Sequence, residues 1–230
     1  MINRTPALPR PIYSLERRVG PEAVMEDVIV TRIPDLLPVS ERPSCIFGSR
    51  TVGAGAPDLT VVYCPQDISM PVHGHPRTID ILAYLRVVNQ ATAATLRNRL
   101  RITERVLEEC LDCLWEVRAL RRLRHAIALE PEFRHPLSEV VTIEAKVSKW
   151  QQAVSQASRN LVFCHRSFVA LPDIHAFTAA QDARVAMLGI GVISVSDSSA
   201  HVVRRSRRTQ PRVWRYYFEL AVASARQLRP

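Results

Sequence analysis

The run Val140-Val141-Thr142-Ile143-Glu144-Ala145-Lys146 decides how this chain is read. Its β-branched apolar residues predict a buried strand. A period of two puts Glu144 and Lys146 on one side of that strand and Ala145 on the other. A carboxylate beside an ammonium at a strand end suits metal-assisted hydrolysis of a phosphodiester. The carboxylate binds a divalent cation, and the lysine orients or deprotonates a water or offsets charge at the attacked phosphate. The same triplet also describes a plain surface ion pair, so its neighbours have to decide.

Upstream, Asp58 follows a Gly/Ala/Pro stretch at 53–57 and opens Leu59-Thr60-Val61-Val62-Tyr63, a second β-rich run. Asp58 also has a plain reading as a turn residue. Earlier still, Met25, Ile29, Ile33 and Leu36 recur at helical spacing after Pro21, which suits a first helical position. That helix is expected from Glu22 to about Leu37, with Pro34 ending or kinking it. Glu22 and Glu26 stand one turn apart on a shared face. Short strands are expected at Cys45–Phe47 and Arg50–Val52. Downstream of Lys146 the pattern predicts a helix from about Lys149 to Leu161, a strand at Ser167–Leu171, and a helix over Ala176–Val185. A strand at Gly189–Ser196, a turn at Asp197–Ser199 and a helix over Val213–Gln227 complete it.

Between these halves the chain changes character. Pro65, Pro71, Gly74 and Pro76 mark a break, and Pro131 and Pro136 mark another. Helical patterns at Ile79–Val88 and Ala91–Leu100 precede a third that Thr103 can cap. In that third helix Val106, Leu107, Cys110, Leu111, Leu114 and Val117 form an apolar stripe. Cys110 and Cys113, with no second Cys/His pair at zinc spacing, read as packing. Arg121 to Leu129 reads as a two-stranded wing, so the segment resembles a winged helix-turn-helix. Its expected recognition helix is acidic at Glu104, Glu108, Glu109, Asp112 and Glu116, which repels phosphates. Arg118, Arg121, Arg122 and Arg124 on the wing are the better DNA-contacting candidates. Arg204, Arg205, Arg207 and Arg208, with Trp214, Tyr216 and Tyr217 nearby, are a second set.

A helix bearing Glu, a strand, a Pro-Asp turn, a strand, a Glu-x-Lys strand and a helix together resemble the PD-(D/E)XK nuclease superfamily. The resemblance covers about 21–64 and 138–200, and it implies a mixed sheet flanked by helices with Mg²⁺- or Mn²⁺-dependent nuclease chemistry. By that resemblance Asp58 and Glu144 ligate the metal and Lys146 is the catalytic lysine. Glu22 or Glu26 is then the helix carboxylate, and Gln156 sits near the site. Some relatives carry Tyr four residues after such a Gln, and here Asn160 stands there. The 86 residues from Asp58 to Glu144 far exceed a hairpin, which the winged-helix segment explains if it is inserted.

The expected architecture is therefore α/β: a restriction-endonuclease-like mixed-sheet core flanked by helices, with an inserted winged-helix subdomain. Residues 1–20 form a loosely ordered lead-in, 21–66 and 138–230 a discontinuous nuclease-like domain, and 72–136 the insert. With 230 residues, 47% of them apolar, the chain can bury a core and is not a disordered segment. No apolar run suits a membrane span or a secretory signal, and five cysteines suggest no disulfide framework, so a cytoplasmic protein is expected. The net charge of +9 supports a polyanionic partner such as DNA, although 29 of the 31 basic residues are Arg and reflect composition as well. Against that bias Lys146 and Lys149, the two lysines, attract attention. The leading function is metal-dependent DNA cleavage, and the alternative is a non-catalytic DNA-binding or regulatory protein that keeps the fold. The acidic helix 104–116 could serve a homodimer or a protein partner.

Overall fold

The structure is a computed structural model, and it describes residues 8–13, 19–37, 44–53, 55–65 and 68–229. In chain order it contains β1 (Ile12–Tyr13), α1 (Pro21–Leu36), β2 (Cys45–Gly48), β3 (Leu59–Tyr63), α2 (Thr78–Val88), β4 (Gln90–Ala91), α3 (Ala93–Leu100) and α4 (Glu104–Glu116). Then follow β5 (Leu120–Arg122), β6 (Ile127–Leu129), a 3-10 turn (Pro131–Arg134), β7 (Glu139–Ala145), α5 (Trp150–Asn160), β8 (Arg166–Pro172), α6 (Asp173–Gln181), α7 (Ala183–Leu188), β9 (Gly191–Val195), β10 (Ala200–Arg204) and α8 (Trp214–Leu228). The chain divides into two compact units, one from Met1–Tyr63 with Glu139–Arg212 and one from Cys64–Ser138 with Val213–Pro230.

The first unit is built on a mixed seven-stranded sheet in the order β1-β2-β3-β7-β8-β9-β10. Strands β7, β8 and β9 run parallel to one another, and β3 and β10 flank them antiparallel. β7 is buried along its whole length, as a central strand covered on both faces requires. Its residues Val141, Ile143 and Ala145 join Met25, Ile29 and Ile33 of α1 in one apolar cluster with Leu59, Val61 and Phe168. The alternate residues belong to the other face, where Thr142 Oγ1 donates to Ser167 Oγ at 3.0 Å and α5 packs. Glu139, at the start of β7, lies 3.3 Å from the Arg166 guanidinium and 2.8 Å from that of Arg208.

Helix α1 begins with Pro21 in its first turn and runs on through Pro34 to Leu36, so the proline neither ends it early nor excludes it. The expected strand at Arg50–Val52 is only a bridge between Val52 and Gly55. The single helix expected over Ala176–Val185 is two, because the Asp182 side chain accepts from the backbone N–H groups of Arg184 and Val185 and starts α7 afresh. Three strands lie outside the sequence expectations: β10, β1 within the supposed lead-in, and β4, which takes up Ala91 where a helix was expected to start. The boundary residue 66 and residues 1–7 and 14–18 of the lead-in fall outside the described residues.

In the second unit α2, α3 and α4 surround buried Leu85, Leu96, Leu107, Cys110 and Leu114, beside a three-stranded sheet ordered β4-β6-β5. Thr92 and Thr103 cap α3 and α4 by accepting from the N–H groups of Thr95 and Val106. The C-terminal helix departs from the expected boundary. Residues 213–230 belong with this unit, not with the sheet. The reason is packing: Tyr217 is fully buried and its hydroxyl donates to the Leu137 carbonyl at 2.7 Å, while the Arg86 guanidinium stacks 4.1 Å from the Trp214 ring. Among the described residues no helix is long and apolar enough to cross a membrane.

Candidate functional site

Leu59 pairs with Ile143 across the antiparallel β3–β7 ladder. Continuing that register by one residue sets Asp58 opposite Glu144, a placement in which Cβ atoms stand about 4.5–5.5 Å apart on one face. The pairing is pinned at this end by Asp58 itself, whose Oδ2 accepts from the Ala145 N–H at 2.8 Å. The two carboxylates are therefore brought together by strand register, across 86 residues of sequence.

Lys146 stands just beyond β7, where the ladder no longer dictates its direction. Its Nζ donates to Glu22 Oε2 at 3.2 Å and to the Ala145 carbonyl at 2.9 Å, and lies 3.6 Å from Asp58 Oδ2. Glu22 comes from α1, the helix that covers the Ala145 face, whereas Glu144 Oε1 accepts from Asn160 Nδ2 of α5 at 2.6 Å on the other. Glu144 and Lys146 thus reach their partners in different layers, and the common side expected from alternation is not kept. The strand has ended before Lys146.

Electrostatics separates the three groups. Burial pushes the Glu144 carboxyl up to about 8, with the Asp58 charge adding to the rise and the Asn160 hydrogen bond and Lys146 opposing it. Asp58 is raised for the same first reason, burial, against the pull of Lys146 and of the Ala145 N–H. Lys146 loses hydration, which acts to lower its pKa, yet Asp58 and Glu22 outweigh that loss and hold it above the ordinary lysine value. It is an ammonium at neutral pH.

The helix carboxylate that joins the cluster is Glu22. Glu26 is buried and meets the Tyr13 hydroxyl, which donates to it at 3.4 Å. Gln156 sits one turn before Asn160 on α5 with its Oε1 buried and lacking a hydrogen-bond partner, and no hydrogen bond joins it to Asp58, Glu144 or Lys146. Asn160, which sequence reasoning noted only as standing in place of a tyrosine, is the residue that holds Glu144. The signal for it was an amide at the inner face of an amphipathic helix, where a polar side chain needs a partner.

Of the arginines, Arg118, Arg121, Arg122 and Arg124 are all exposed, with Arg122 lying 5.0 Å over the Trp115 ring. The second set is largely engaged by the fold. Arg204 donates to the Ala180 carbonyl, Arg207 to the Met187 carbonyl, and Arg208 to Glu139, while Arg205 is exposed. Their supposed aromatic partners, Trp214 and Tyr217, belong to the other unit and pack within it.

Among the described residues no three His, Cys, Asp or Glu side chains form a group that could hold a metal ion. Asp58 and Glu144 provide two hard oxygen donors, the chemistry Mg²⁺ and Mn²⁺ select. Burial first, and then the charge of Asp58, disfavour the ionised Glu144, and a divalent cation offsets both, so the residues present fit such an ion.

Fold and cluster together define an α/β protein with a mixed sheet whose adjacent strand ends carry two carboxylates and a lysine. No protein-family model matches the chain, and no curated protein is similar to it. Among solved structures, a protein of unknown function from Silicibacter pomeroyi is similar at 24% identity over 47% of this chain and 70% of that one, with a TM-score of 0.29.

Proposed function

We propose that this chain is a Mg²⁺- or Mn²⁺-dependent deoxyribonuclease with a restriction-endonuclease-like core of the PD-(D/E)XK kind. The observation that carries this reading is the β3–β7 register, which sets Asp58 opposite Glu144, together with Lys146 3.6 Å from Asp58. Asp58 and Glu144 would hold the cation, which when bound supplies an activated water and offsets phosphate charge.

The chain's own groups have distinct tasks. Asn160 fixes one oxygen of Glu144, leaving the carboxylate a single defined presentation. Lys146, held as a cation by Asp58 and Glu22, donates to a phosphate oxygen or to the attacking water and stabilises charge developing at phosphorus. A protonated lysine cannot accept the proton of that water, so its role is electrostatic. Glu22 is about half exposed and keeps the ammonium aimed toward the cluster. Water adds to phosphorus and gives up a proton to solvent, one P–O ester bond breaks, and the departing oxygen takes up a proton from solvent, so protons balance across the step.

The second unit is read as a winged helix that approaches DNA with its exposed arginines, Arg121 and Arg122 on β5, Arg124 in the turn after it, and Arg118. The acidic face of α4 stays turned from phosphate for the charge reason already given. Cleavage of linear, circular and single-stranded DNA with Mg²⁺ and Mn²⁺, with Lys146→Ala in parallel, tests the proposal. Cleavage that disappears in the variant supports it. No cleavage by the native chain, with salt-sensitive DNA binding retained, replaces it with a non-catalytic DNA-binding role.

A further inference from the structure

The first unit holds a cavity of about 560 Å³ beside the contact between Glu22 and Lys146. Val24, Met25 and Val28 of α1 form one wall, and Val147, Pro172 and Val195, at or just past the carboxyl ends of β7, β8 and β9, form the other. Sheets with parallel strands take ligands at that end, and the volume falls within the ~300–1,000 Å³ of small-ligand sites. Its lining adjoins two members of the cluster along the chain. Pro21 and Val24 bracket Glu22 along α1, and Val147 directly follows Lys146.

Charge narrows the occupant. Among the described residues no arginine lines this cavity, and the one ionisable lining residue is Asp197. The Asp197 carboxylate repels a phosphate there. Val24 is 59% and Val147 37% exposed, so the apolar wall opens to solvent and not onto a filled core. A nucleic-acid strand has one part that is uncharged, apolar on its faces and able to donate to a carboxylate from its edge, and that is the base. In a duplex that part is stacked and paired; only an unpaired base can enter.

We infer that this cavity receives an unpaired nucleobase next to the phosphate held at the cluster, so that the substrate is single-stranded or locally unpaired nucleic acid. The inference rests on the nuclease reading above. Aliphatic walls grip the base, Asp197 accepts from its edge, and the adjoining phosphate is left beside Lys146.

The test measures binding of the full chain in EDTA to an oligothymidylate of about ten nucleotides, to an abasic strand of the same length, and to a blunt hairpin duplex. The two strands carry equal charge and differ in their bases alone. We expect oligothymidylate to bind at least about ten-fold tighter than the abasic strand. Val24→Trp, which fills the cavity from an exposed position, and Val147→Trp each remove that preference and leave hairpin affinity unchanged. Equal binding of the two strands, or a preference that survives both variants, overturns the inference. So does a change of self-association in either variant while the abasic strand binds as well as oligothymidylate, because a second copy of the chain then covers the cavity. Cleavage assayed on the same samples separates the two proposals. A base preference without cleavage under any metal leaves the cavity assignment standing and removes the nuclease, whereas cleavage without a base preference does the reverse.

Discussion

Replacing Glu144 by Gln removes a titratable group from the buried strand β7 while keeping an oxygen for Asn160 to donate to. The ordinary glutamate titrates at 4.5, and in the folded protein burial, then Asp58, moves Glu144 to about 8. Below 4.5 both folded and unfolded chains carry the proton, and the substitution is nearly neutral. Between 4.5 and about 8 the unfolded chain ionises while the folded chain retains its proton, so the native protein loses stability as pH rises through that window. Gln does not titrate and escapes the loss. At ~1.4 kcal/mol per pH unit the difference has a ceiling of about 5 kcal/mol by about pH 9. Water entry and small side-chain movements lower it, and we expect at least ~2 kcal/mol, a gain of roughly 4–8 °C in Tm. The assay is thermal unfolding of the metal-free protein in EDTA across that pH range. Mg²⁺ at about ten times its Kd should then stabilise the native protein alone, by ~1.4 kcal/mol. A stability gap between the two proteins that does not widen with pH, or a variant that is less stable at alkaline pH, would refute the reasoning.

Asn160→Leu strips Glu144 of its donor and should weaken Mn²⁺ binding, read by titration calorimetry, while Asn160→Gln recovers part of it; equal affinity in all three proteins denies Asn160 a positioning role. Arg208→Ala should cost about 1–3 kcal/mol in urea unfolding, because Glu139 loses a charged partner. Its affinity for DNA should stay within about two-fold of the native value at fixed salt. Thr103→Ala should cost about 0.5–2 kcal/mol through the lost cap of α4, detected as an earlier melt of the second unit.

The strands that build the cluster were legible because burial writes itself plainly into sequence. β3 is apolar but for Thr60, β7 carries Val140, Val141, Ile143 and Ala145 among its polar residues, and α1 repeats its apolar residues at helical spacing. Asp58, Glu144 and Lys146 were found from such runs and the turn before β3. What escaped was set by tertiary contact. β10 reads as a basic tail because its edge position lets Arg204 stand where a central strand would carry an apolar residue. The choice of Glu22 over Glu26 depends on which turn of α1 faces the end of β7, and helical periodicity assigns both to one face. The place of α8 depends on where Tyr217 finds a carbonyl, which no local pattern encodes. Lys146 turned toward α1 because its strand stopped one residue earlier, a boundary finer than pattern reading distinguishes.

The last pair of the β3–β7 ladder is Tyr63 with Glu139, and the whole of Cys64–Ser138 leaves and re-enters the sheet between them. This arrangement has a kinetic consequence. A ladder closed by a tight turn can form early, whereas closing one across this much unfolded chain costs a further ~2–3 kcal/mol of loop entropy. Folding of the intervening segment removes that cost by bringing its two ends together in advance. The two carboxylates stand at the far end of the same ladder, so the entropy of closing that loop is part of the cost of bringing them together.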